Sequence, residues 1–398
     1  MKPASILHLS SSIGQTSFGL GQVVVNLAKA QNDLNADARI WCLDSEDQIE
    51  WAVTSSGLGC SRVMAFPSFG PTRFGFSPAM LSAAKSNRHA LGVVHQHGIW
   101  TAGSQVSNVL RRTHTIPVVV APHGSLDPWA LKRSMNKKRL ALFLYERENL
   151  KQAACLHALS EREAKGFRDF GLCNPIAVIP NGISPDWISS SADGQAFRHK
   201  YQISAHTKVM LFLGRITPKK GLPMLLKAMR GLEKNLANWQ FLIAGVDEFN
   251  HQREIEQMVQ ELLLAPYVQF IGPQFDQEKR EAYAAADLFI LPSHSEGAPM
   301  TVLEALGANT PVFTTKASPC EYLLTNKCGW WTDVTVSAIR DSLADALNTP
   351  KEALAEMGCR GKALVSAQFT WSKIAEQTIV LYDWLLGRSQ QPNFLIED

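Results

Sequence analysis

Short apolar runs alternate with amphipathic stretches along most of the chain. In the first half, SILHLS at 5–10, GVVHQH at 92–97 and PVVVAPH at 117–123 predict strands, and QVVVNLAKAQ at 22–31 predicts a helix. Strands that are apolar along their whole length are typical of parallel sheets covered on both faces. Further strands of this kind are predicted at 38–43, 155–160 and 176–180. The pattern therefore predicts a doubly wound α/β domain.

A polar segment at 181–195 interrupts this pattern, and its Ser, Gly, Asp and Pro content predicts a linker. The alternation then resumes, with strands predicted at 209–214, 239–245, 268–272, 288–293 and 311–315 and helices from Leu222 and over 252–264. The sequence thus predicts an α/β protein with two doubly wound, Rossmann-like domains, at 1–185 and 186–370, and a last helix within 371–398 that could pack on either domain. Two such domains imply a cleft, and ligands of such sheets bind outside the carboxyl ends of the strands. Functional residues are therefore expected just after strands.

Composition narrows the classes of protein. The 398 residues suggest two or three domains, and a net charge of +3 does not point to a nucleic-acid binder. Seven scattered cysteines without a C-x-x-C pair argue against a disulfide framework or a zinc site and favour a reducing compartment. No apolar run approaches the roughly 18 residues of a membrane span. The chain is therefore expected to be cytoplasmic, with no nucleic-acid partner.

Cationic residues follow the first strand of the second domain, in GRITPKKG at 214–221. Arg215 comes directly after the strand, and Lys219 and Lys220 precede the predicted helix. Cations at a helix N-terminus face the positive end of the helix dipole, so a bound anion would account for their presence. Arg215 could then grip two phosphate oxygens, with Lys220 as a point charge. Solvated loop charges are the alternative, and they explain Lys219 well.

Two carboxylates, Glu296 and Glu304, lie eight positions apart in HSEGAPMTVLEA at 294–305. Glu304 lies within an apolar run, where an unpaired carboxylate is costly to bury. It could accept hydrogen bonds from the two hydroxyls of a ribose, and Glu296 could accept them from a sugar. Pro299 fits the start of a helix. The free backbone amides at that helix start, which belong to Ala298, Met300 and Thr301, could donate hydrogen bonds to an anion or a sugar. Together with Arg215 and Lys220, these groups suit a nucleotide sugar. In the alternative interpretation, Glu304 is stabilised by the helix dipole and Glu296 is a loop residue without a ligand.

These motifs resemble those of a known family. SEGAPMTVLEA at 295–305 is similar to the E-x7-E element of the retaining GT-B glycosyltransferases of family four, a bacterial group that builds polysaccharides and lipid-linked sugars. GRITPKKG resembles the G-R-x4-K-G element of that group, in the expected order upstream. VIPNGI at 178–183 resembles its hinge strand, and FTW at 369–371 resembles the start of a C-terminal helix that crosses back to the N-terminal domain. The resemblance covers almost the whole chain.

The resemblance implies a donor site. It assigns the diphosphate to Arg215 and Lys220, and the ribose to Glu304. It assigns the donor sugar to Glu296 and to the 297–301 backbone, which includes Gly297, Ala298, Met300 and Thr301. Gly19 and Gly21 resemble a loop that closes over the phosphates, a role that needs close backbone approach. His123 matches a histidine near the donor sugar, so that the implied catalytic residues are His123, Glu296, Lys220 and Arg215.

The resemblance also implies a reaction. Members of the family transfer a hexose from a nucleotide-diphosphate sugar to a saccharide or lipid-linked acceptor, with retention, by front-face attack with the leaving phosphate as base. They need no metal and no cofactor, and many act in exopolysaccharide or lipopolysaccharide assembly. The sequence departs from the commoner pattern at 297–299, where Gly-Ala-Pro stands in place of the usual Phe-Gly, and in a longer phosphate loop with 15–18 between Gly14 and Gly19. The acidic cluster at 44–47 is a metal candidate, although a solvated turn also explains it.

The acceptor side is less clearly marked in the sequence. FPSFGPTRFGFSP at 66–78 is a long loop of the kind that is often functional. An aromatic and cationic wall suited to a sugar or lipid phosphate could form from Phe69, Arg73, Trp100 and Trp129, or the aromatic residues could simply pack the loop. His97, at a strand end, is equally consistent with an acceptor contact and with a structural hydrogen bond. His95 and His157 lie within predicted strands and are expected in the core or behind the site.

The segment at 131–152 places a cluster of cations beside an apolar run. The cations are Lys132, Arg133, Lys137, Lys138 and Arg139. Such a segment resembles a basic amphipathic helix that lies on an anionic membrane surface. A solvated helix face is the alternative.

Four other classes of function are alternatives to the transferase. A nicotinamide-dependent oxidoreductase would use the first strand, the glycine loop and Asp44 as the ribose-binding acid, but the third glycine of its motif is absent at Val24. An epimerase of the same fold would act on the donor without an acceptor. A phosphorylase would need a phosphate pocket or cofactor lysine that the sequence does not identify. A non-catalytic sugar-binding module would not need a diphosphate clamp.

Overall fold

The computed structural model describes residues 5–14, 19–70, 75–86, 91–101, 103–132, 135–189 and 192–397. The chain divides into two compact units. The first unit contains residues 1–182 and 371–398, and the second contains residues 183–370. Each unit is built around one largely parallel sheet.

The strands, numbered in chain order, are β1 Ser5–Ser10, β2 Asp37–Cys42, β3 Val63–Ala65, β4 Val93–His97, β5 Val118–Ala121, β6 Cys155–Ala158, β7 Ile176–Val178, β8 Lys208–Leu213, β9 Trp239–Ala244, β10 Val268–Gly272, β11 Leu288–Leu291, β12 Val312–Thr315, β13 Gly329–Thr332 and β14 Leu395–Ile396.

The helices are α1 Gly19–Asp33, α2 Glu46–Ser56, α3 Pro78–Ser86, α4 Gly103–His114, α5 Pro128–Lys132, α6 Met135–Ala141, α7 Arg147–Lys151, α8 Glu161–Asp169, α9 Pro185–Ser189, α10 Gly194–Lys200, α11 Leu222–Met229, α12 Glu233–Leu236, α13 His251–Glu261, α14 Asp276–Ala285, α15 Met300–Gly307, α16 Tyr322–Thr325, α17 Val336–Asn348, α18 Lys351–Gln368 and α19 Trp371–Leu385. Short 3₁₀ turns cover Cys60–Arg62 and Pro218–Lys220, and a π-helical turn covers Leu142–Glu146.

The first sheet has the strand order β14-β7-β6-β5-β4-β1-β2-β3. Its neighbouring strands pair in parallel, except that β14 pairs antiparallel to β7. The order reverses direction at β1, so the sheet is doubly wound, as the run of apolar strands predicts. Strands β4, β5 and β6 are fully buried, because helices cover the sheet.

The second sheet has the order β10-β9-β8-β11-β12-β13, and its strands also pair in parallel. The order again reverses at β8, between β8 and β11. In such sheets the crevice lies beyond the carboxyl ends of the strands that flank the reversal. A ligand site of this unit is therefore expected at the loops after β8 and β11. The predicted fold class, two doubly wound Rossmann-like sheets, is confirmed.

The predicted linker at 181–195 is wrong in part. Within it, α9 covers Pro185–Ser189, and α10 begins at Gly194. Asp193 caps α10 by accepting hydrogen bonds from the amides of Gln195 and Ala196. Ser, Asp and Pro favour helix starts as well as loops, so the same composition predicts both.

The last helix, α19, packs in the first unit against α1. It buries an apolar face that includes Ile374, Leu381 and Tyr382. Buried polar side chains from α1 and α19, Gln31, Thr378 and Tyr382, also meet there. None of the helices within the described residues combines the length and the apolar composition that a membrane crossing requires.

Candidate active site

Two loops of the second unit meet at the carboxyl ends of β8 and β11. The 3₁₀ turn Pro218–Lys220 ends at Gly221, which has a φ of 72°. A Cβ at Gly221 would lie 2.1 Å from the carbonyl oxygen of Pro292, so only glycine allows this approach. The amide of His294 donates to the carbonyl of Lys219 at 2.9 Å. These contacts fix the basic loop against the acidic one.

Lys220 and Glu296 form an ion pair in which the Nζ and Oε1 atoms lie 2.7 Å apart. Ser293 Oγ donates to the same oxygen at 2.6 Å. Only 15% of the Lys220 side chain and 10% of the Glu296 side chain is exposed, so solvent screens the pair weakly. Burial raises the pKa of Glu296, but the charge and hydrogen bond of Lys220 and the hydrogen bond of Ser293 outweigh it and hold the pKa below its ordinary value. Glu296 is therefore a carboxylate at neutral pH.

Arg215 has a different carboxylate partner from Lys220. Its Nη1 atom lies 2.7 Å from Oε1 of Glu248, in the loop after β9. The Arg215 side chain is 46% exposed, so this pair is easily exchanged for another anion. The protein thus supplies a carboxylate to each of the two cations, so an external anion is not required to account for their presence.

Glu304 lies in α15 and is held by two residues of α14. Lys279 Nζ lies 2.6 Å from Oε1, and the Tyr283 hydroxyl donates to Oε2 at 3.1 Å. Burial and the charge of Glu304 raise the pKa of Tyr283 well above its ordinary value. The buried Glu304 carboxylate thus has a cation and a hydroxyl group as partners inside the protein. Each carboxylate oxygen has two lone pairs, so the pairing leaves acceptor capacity for a ligand hydroxyl.

The segment between Glu296 and α15 leads into a helix N-terminus. Pro299 precedes the first helical residue, Met300, so the helix start was predicted correctly. The amides of Met300 and Thr301 belong to the first turn and have no acceptor within the helix. With Gly297 and Ala298 they form the stretch assigned from sequence to the donor sugar, an assignment that stays a prediction.

The loop predicted at Gly19 and Gly21 is wrong, whereas their role at the phosphates stays a prediction. Both residues are helical, because α1 begins at Gly19 rather than at Gln22. The four residues of the predicted loop extension, 15–18, lie outside the described residues. The segment that precedes residue 15 is held by Asp44. Its carboxylate accepts hydrogen bonds from Ser12 Oγ at 2.7 Å and from the Ile13 amide at 2.5 Å.

His123 follows β5 in an unusual backbone conformation. Its φ is 50°, which non-glycine residues seldom adopt, and such strain is often retained at functional sites. Its side chain is partly buried, and Nε2 lies 3.0 Å from Nδ1 of His97. His97 in turn lies with Nε2 2.9 Å from Nδ1 of His8.

His97 is therefore not placed to contact an acceptor, one of the two roles considered from the sequence. It is buried, and both of its ring nitrogens are hydrogen-bonded within the protein. His95 and His157 lie in the core, as expected, and are hydrogen-bonded to each other at 3.1 Å.

Burial keeps these histidines neutral. It lowers the pKa of His8 and of His157 from an ordinary 6.5 to about 4, and that of His123 to about 3. The pKa values of His95 and His97 are lowered still more clearly, first by burial and then by the neighbouring imidazoles.

The described residues contain one group of side chains close enough to hold a metal ion. Ring nitrogens of His8, His95 and His97 lie within 4.8 Å of one another. Each of these rings, however, has both nitrogens within hydrogen-bonding distance of a protein atom. A bound metal would have to replace those hydrogen bonds, so the donor set fits a hydrogen-bonded core better than a metal centre.

The predicted acceptor wall is only partly described. Arg73 lies outside the described residues, as does the side chain of Trp129, whose backbone lies in α5. Trp100 is held by its amide, which donates to Glu146 at 2.7 Å, and by its Nε1, which lies 3.5 Å from the Ser125 carbonyl. The acceptor role of these residues stays a prediction.

Sequence reasoning missed Lys279, Tyr283 and Glu146. Lys279 and Tyr283 are four residues apart, so they lie on one face of α14, but nothing in the sequence shows which carboxylate that face meets. Glu146 is buried and accepts from Ser104 and Asn149 as well as Trp100. Glu146 directly follows the apolar and aromatic run at 140–145, and a carboxylate at such a position indicates a buried partner.

Several large apolar side chains of the surface segment at 131–152 are exposed. Phe143 is 84% exposed, Leu144 63% and Leu140 60%. Lys137 and Arg139 are also exposed. Large apolar side chains and cations thus lie together on this part of the surface.

Two family models match the chain. The model described as a glycosyl transferase 4-like domain matches residues 18–182, and the model described as glycosyl transferases group 1 matches residues 193–363. Together the two matches span most of both compact units.

Similar proteins include two glycosyltransferases and one solved structure. A D-inositol 3-phosphate glycosyltransferase of Geodermatophilus obscurus is 29% identical over 231 residues, which are 55% of this chain and 51% of that protein, so the match spans about half of that relative. A GDP-mannose:cellobiosyl-diphosphopolyprenol alpha-mannosyltransferase of Xanthomonas campestris is 23% identical over 391 residues, covering 96% and 97%. Anabaena Alr3699/HepE in complex with UDP and glucose aligns with a TM-score of 0.74 and 20% identity over 94% of this chain and 98% of that one. At this identity the structural match supports the fold alone.

Proposed function

Because this chain belongs to the GT-B glycosyltransferases of family four, we propose that it transfers a hexose, with retention, from a nucleotide-diphosphate sugar to a saccharide or lipid-linked acceptor. The observation that carries the proposal is the buried Lys220–Glu296 pair at the carboxyl ends of β8 and β11. A cation and a carboxylate fixed side by side suit a ligand with an anionic part next to a hydroxylated part. A nucleotide sugar has both.

In the proposed reaction the bond between the anomeric carbon and the diphosphate oxygen breaks. An acceptor hydroxyl forms the new bond on the same face, and its proton passes to the leaving diphosphate. Lys220 and Arg215 stabilise the charge that develops on the diphosphate. Glu296 and the amides before α15 hold the sugar, and Glu304 binds the ribose. The proposed reaction needs no metal ion or cofactor.

The names of similar proteins support the donor class without defining the donor. The Xanthomonas relative is named for GDP-mannose and a lipid-linked acceptor, and the Anabaena structure contains UDP and glucose. A role in cell-surface polysaccharide assembly is therefore part of the proposal, and the base and sugar are left to experiment.

The oxidoreductase alternative is weaker than the sequence alone suggests. It needs both oxygens of the Asp44 carboxylate for the two hydroxyls of a ribose, but Oδ2 already accepts from the amides of Ile13 and Gly14 and Oδ1 from Ser12, whereas each oxygen of Glu304 has one partner. It also gives no role to the Lys220–Glu296 pair.

Thermal-shift titration with UDP, GDP, ADP and NAD tests the proposal. A ligand that binds only the folded protein stabilises it by RT ln(1 + [L]/Kd), about 2.7 kcal/mol at a hundredfold excess over Kd. We expect a shift with one nucleoside diphosphate, and a smaller shift or none in the Arg215→Ala/Lys220→Ala variant. Glu304→Gln should weaken the same shift, because the ribose would lose a charged acceptor.

The matched control is the Arg230→Ala/Lys234→Ala variant. It removes the same charge from the same unit, at exposed positions after α11 and in α12, away from the carboxyl ends of the strands. It should keep the full shift. A shift with NAD alone, or equal shifts in both double variants, would contradict the proposed donor site.

We further propose that the segment 131–152 contacts an anionic membrane surface, where a lipid-linked acceptor would lie. Phe143→Ser/Leu144→Ser should reduce flotation of the protein with vesicles that contain anionic lipid, since apolar burial and charge attraction act together. Leu263→Ser is the control, because Leu263 is 81% exposed but lies in the second unit. If the unaltered protein does not float with anionic vesicles, the membrane contact is refuted.

A further inference from the structure

A buried hydrogen-bond network in the first unit ends at His123. It joins side chains of β1, β4, β6, α1 and α19. Its members are His8, Gln31, His95, His97, His123, His157, Thr378 and Tyr382. Because the imidazoles are buried and neutral, each carries one proton, and the position of every proton can be worked out from groups whose role is fixed.

The first fixed group is the carbonyl of Ile179. It lies 2.7 Å from Nε2 of His157 and can only accept, so that nitrogen carries the proton of His157. Nδ1 of His157 must then accept from Nε2 of His95, at 3.1 Å. Nδ1 of His95 must in turn accept from the Tyr382 hydroxyl, at 2.6 Å. The single proton of Tyr382 is therefore committed to His95.

The second fixed group is the carbonyl of Ala375, which accepts the proton of the Thr378 hydroxyl at 2.9 Å. The hydroxyl oxygens of Thr378 and Tyr382 can thus only accept from Gln31, which lies 2.8 Å and 3.4 Å away. The side-chain amide nitrogen of Gln31 must therefore point towards these two hydroxyl oxygens. The amide oxygen of Gln31 must then face His8, 2.7 Å away, which fixes an amide orientation that distances alone leave open.

The orientation of Gln31 decides the tautomers of the three remaining rings. Its oxygen accepts from Nε2 of His8, so Nδ1 of His8 accepts from Nε2 of His97, at 2.9 Å. Nδ1 of His97 then accepts from Nε2 of His123, at 3.0 Å. The proton of His123 is on Nε2, and within the described residues its Nδ1 has no hydrogen-bond partner.

We propose that Gln31, His8 and His97 are positioning residues that hold His123 as the Nε2–H tautomer, so that its Nδ1 is an acceptor for a sugar hydroxyl of the substrate. This assignment of the ligand rests on the proposed function, whereas the tautomer does not. The strained backbone of His123 and its fixed tautomer together preorganise one lone pair. His123 then acts as a hydrogen-bond acceptor, and not as the proton donor that a free imidazole could also be.

Nitrogen NMR of the ¹⁵N-histidine-labelled full chain tests the tautomer directly, because protonated and unprotonated ring nitrogens resonate far apart. A His123→Asn variant identifies the His123 signals. We expect an unprotonated Nδ1 and a protonated Nε2 for His123 at neutral pH. A protonated Nδ1, or fast exchange between the two tautomers, would overturn the proposal. Stoichiometric zinc that removes the signals of His8, His95 and His97 would also overturn it.

The Gln31→Met variant tests whether the distant amide controls the tautomer. Methionine has a similar size but offers no acceptor to His8, so the reversed arrangement, with a proton on each Nδ1, keeps the same hydrogen bonds between the rings. We expect a protonated Nδ1 signal for His123 to appear, and kcat/KM for the donor to fall about two- to tenfold, as for the loss of one neutral hydrogen bond. Unchanged tautomers in this variant would refute control by Gln31.

Gln377→Met is the matched control. Gln377 is a partly buried glutamine of α19, beside Thr378, and its amide oxygen has no partner in the described structure. The Gln377→Met variant should leave the His123 signals and kcat/KM unchanged.

The proposed transferase site and the proposed histidine network can fail separately. An Nε2–H tautomer in a protein that binds no nucleoside diphosphate would refute the transferase site and leave the network standing, whereas a protonated Nδ1 in an active transferase would refute the network.

Discussion

Lys220→Ala is expected to lower kcat by about a hundredfold or more, with a smaller change in the KM for the donor. The charge on a leaving diphosphate grows as its bond to the sugar breaks, so a cation fixed beside it stabilises the transition state more than the ground state. The side chain is mostly buried, which strengthens its charge interactions relative to those of an exposed lysine. Steady-state kinetics with the donor identified by thermal shift would measure both constants.

Lys219→Ala is the control for this prediction. Lys219 precedes Lys220 in the same 3₁₀ turn, and its structural contact to His294 is made by the backbone carbonyl, which alanine retains. We expect its effect on kcat to be much smaller. Wild-type turnover in Lys220→Ala would show that the diphosphate assignment is wrong, and equal losses in both variants would point to bulk charge.

The Lys220–Glu296 pair gives this experiment a second arm. Removing Lys220 leaves the buried Glu296 carboxylate with the Ser293 hydroxyl as its hydrogen-bond partner among the described residues, and the pKa of Glu296 should then rise. Glu296→Gln retains the shape and a hydrogen bond to Ser293. In a double-mutant cycle, losses that do not add would show that the two side chains act as a unit.

The fold was readable from the sequence because its main signal is local. Continuous apolar runs such as 209–214 and 239–245 predicted strands of a covered parallel sheet, and β8 and β9 lie there. Pro299 likewise marked the start of α15, because its fixed φ suits a helix beginning. Segments with mixed signals were harder, since the composition of 181–195 fits a loop and a helix cap equally well.

The partners of the site residues could not be predicted, because they come from distant parts of the chain. Glu304 raised the question of what a carboxylate in an apolar run pairs with, and the answer is Lys279 and Tyr283 of a preceding helix. The histidine network was missed for the same reason. His8 lies within β1, His97 ends β4 and His123 follows β5. Only the strand order β5-β4-β1 makes them neighbours.

The free energy of unfolding of the first unit is expected to fall as the pH is lowered from about 6.5 towards 4. Unfolded histidines take up protons near their ordinary pKa of 6.5, whereas folded His8 and His157 resist protonation until about 4. In this window the unfolded state binds more protons, so stability is present above pH 6.5 and is lost as the pH falls. For each of these two residues the difference corresponds to roughly 3 kcal/mol, a large part of the 5–15 kcal/mol that stabilises a typical domain. Burial raises the pKa values of Glu146 and Glu163, which act in the opposite sense and offset part of the loss.

Urea titrations from pH 8 to pH 4.5, with amide exchange of β1 and β4 peptides reporting on the first unit, would measure this effect. His157→Asn should reduce the slope of stability against pH by up to about 1.4 kcal/mol per pH unit, since one fewer buried imidazole resists protonation. His206→Asn is the control, because His206 is exposed in the second unit and should leave the slope unchanged. A flat profile in the wild type, together with a slope that His157→Asn leaves unchanged, would mean that the buried histidines take up protons near their ordinary pKa of 6.5 in the folded protein. Below that pH each ring would carry two protons, and the fixed order of donors and acceptors that leads from Gln31 to His123 could not exist there.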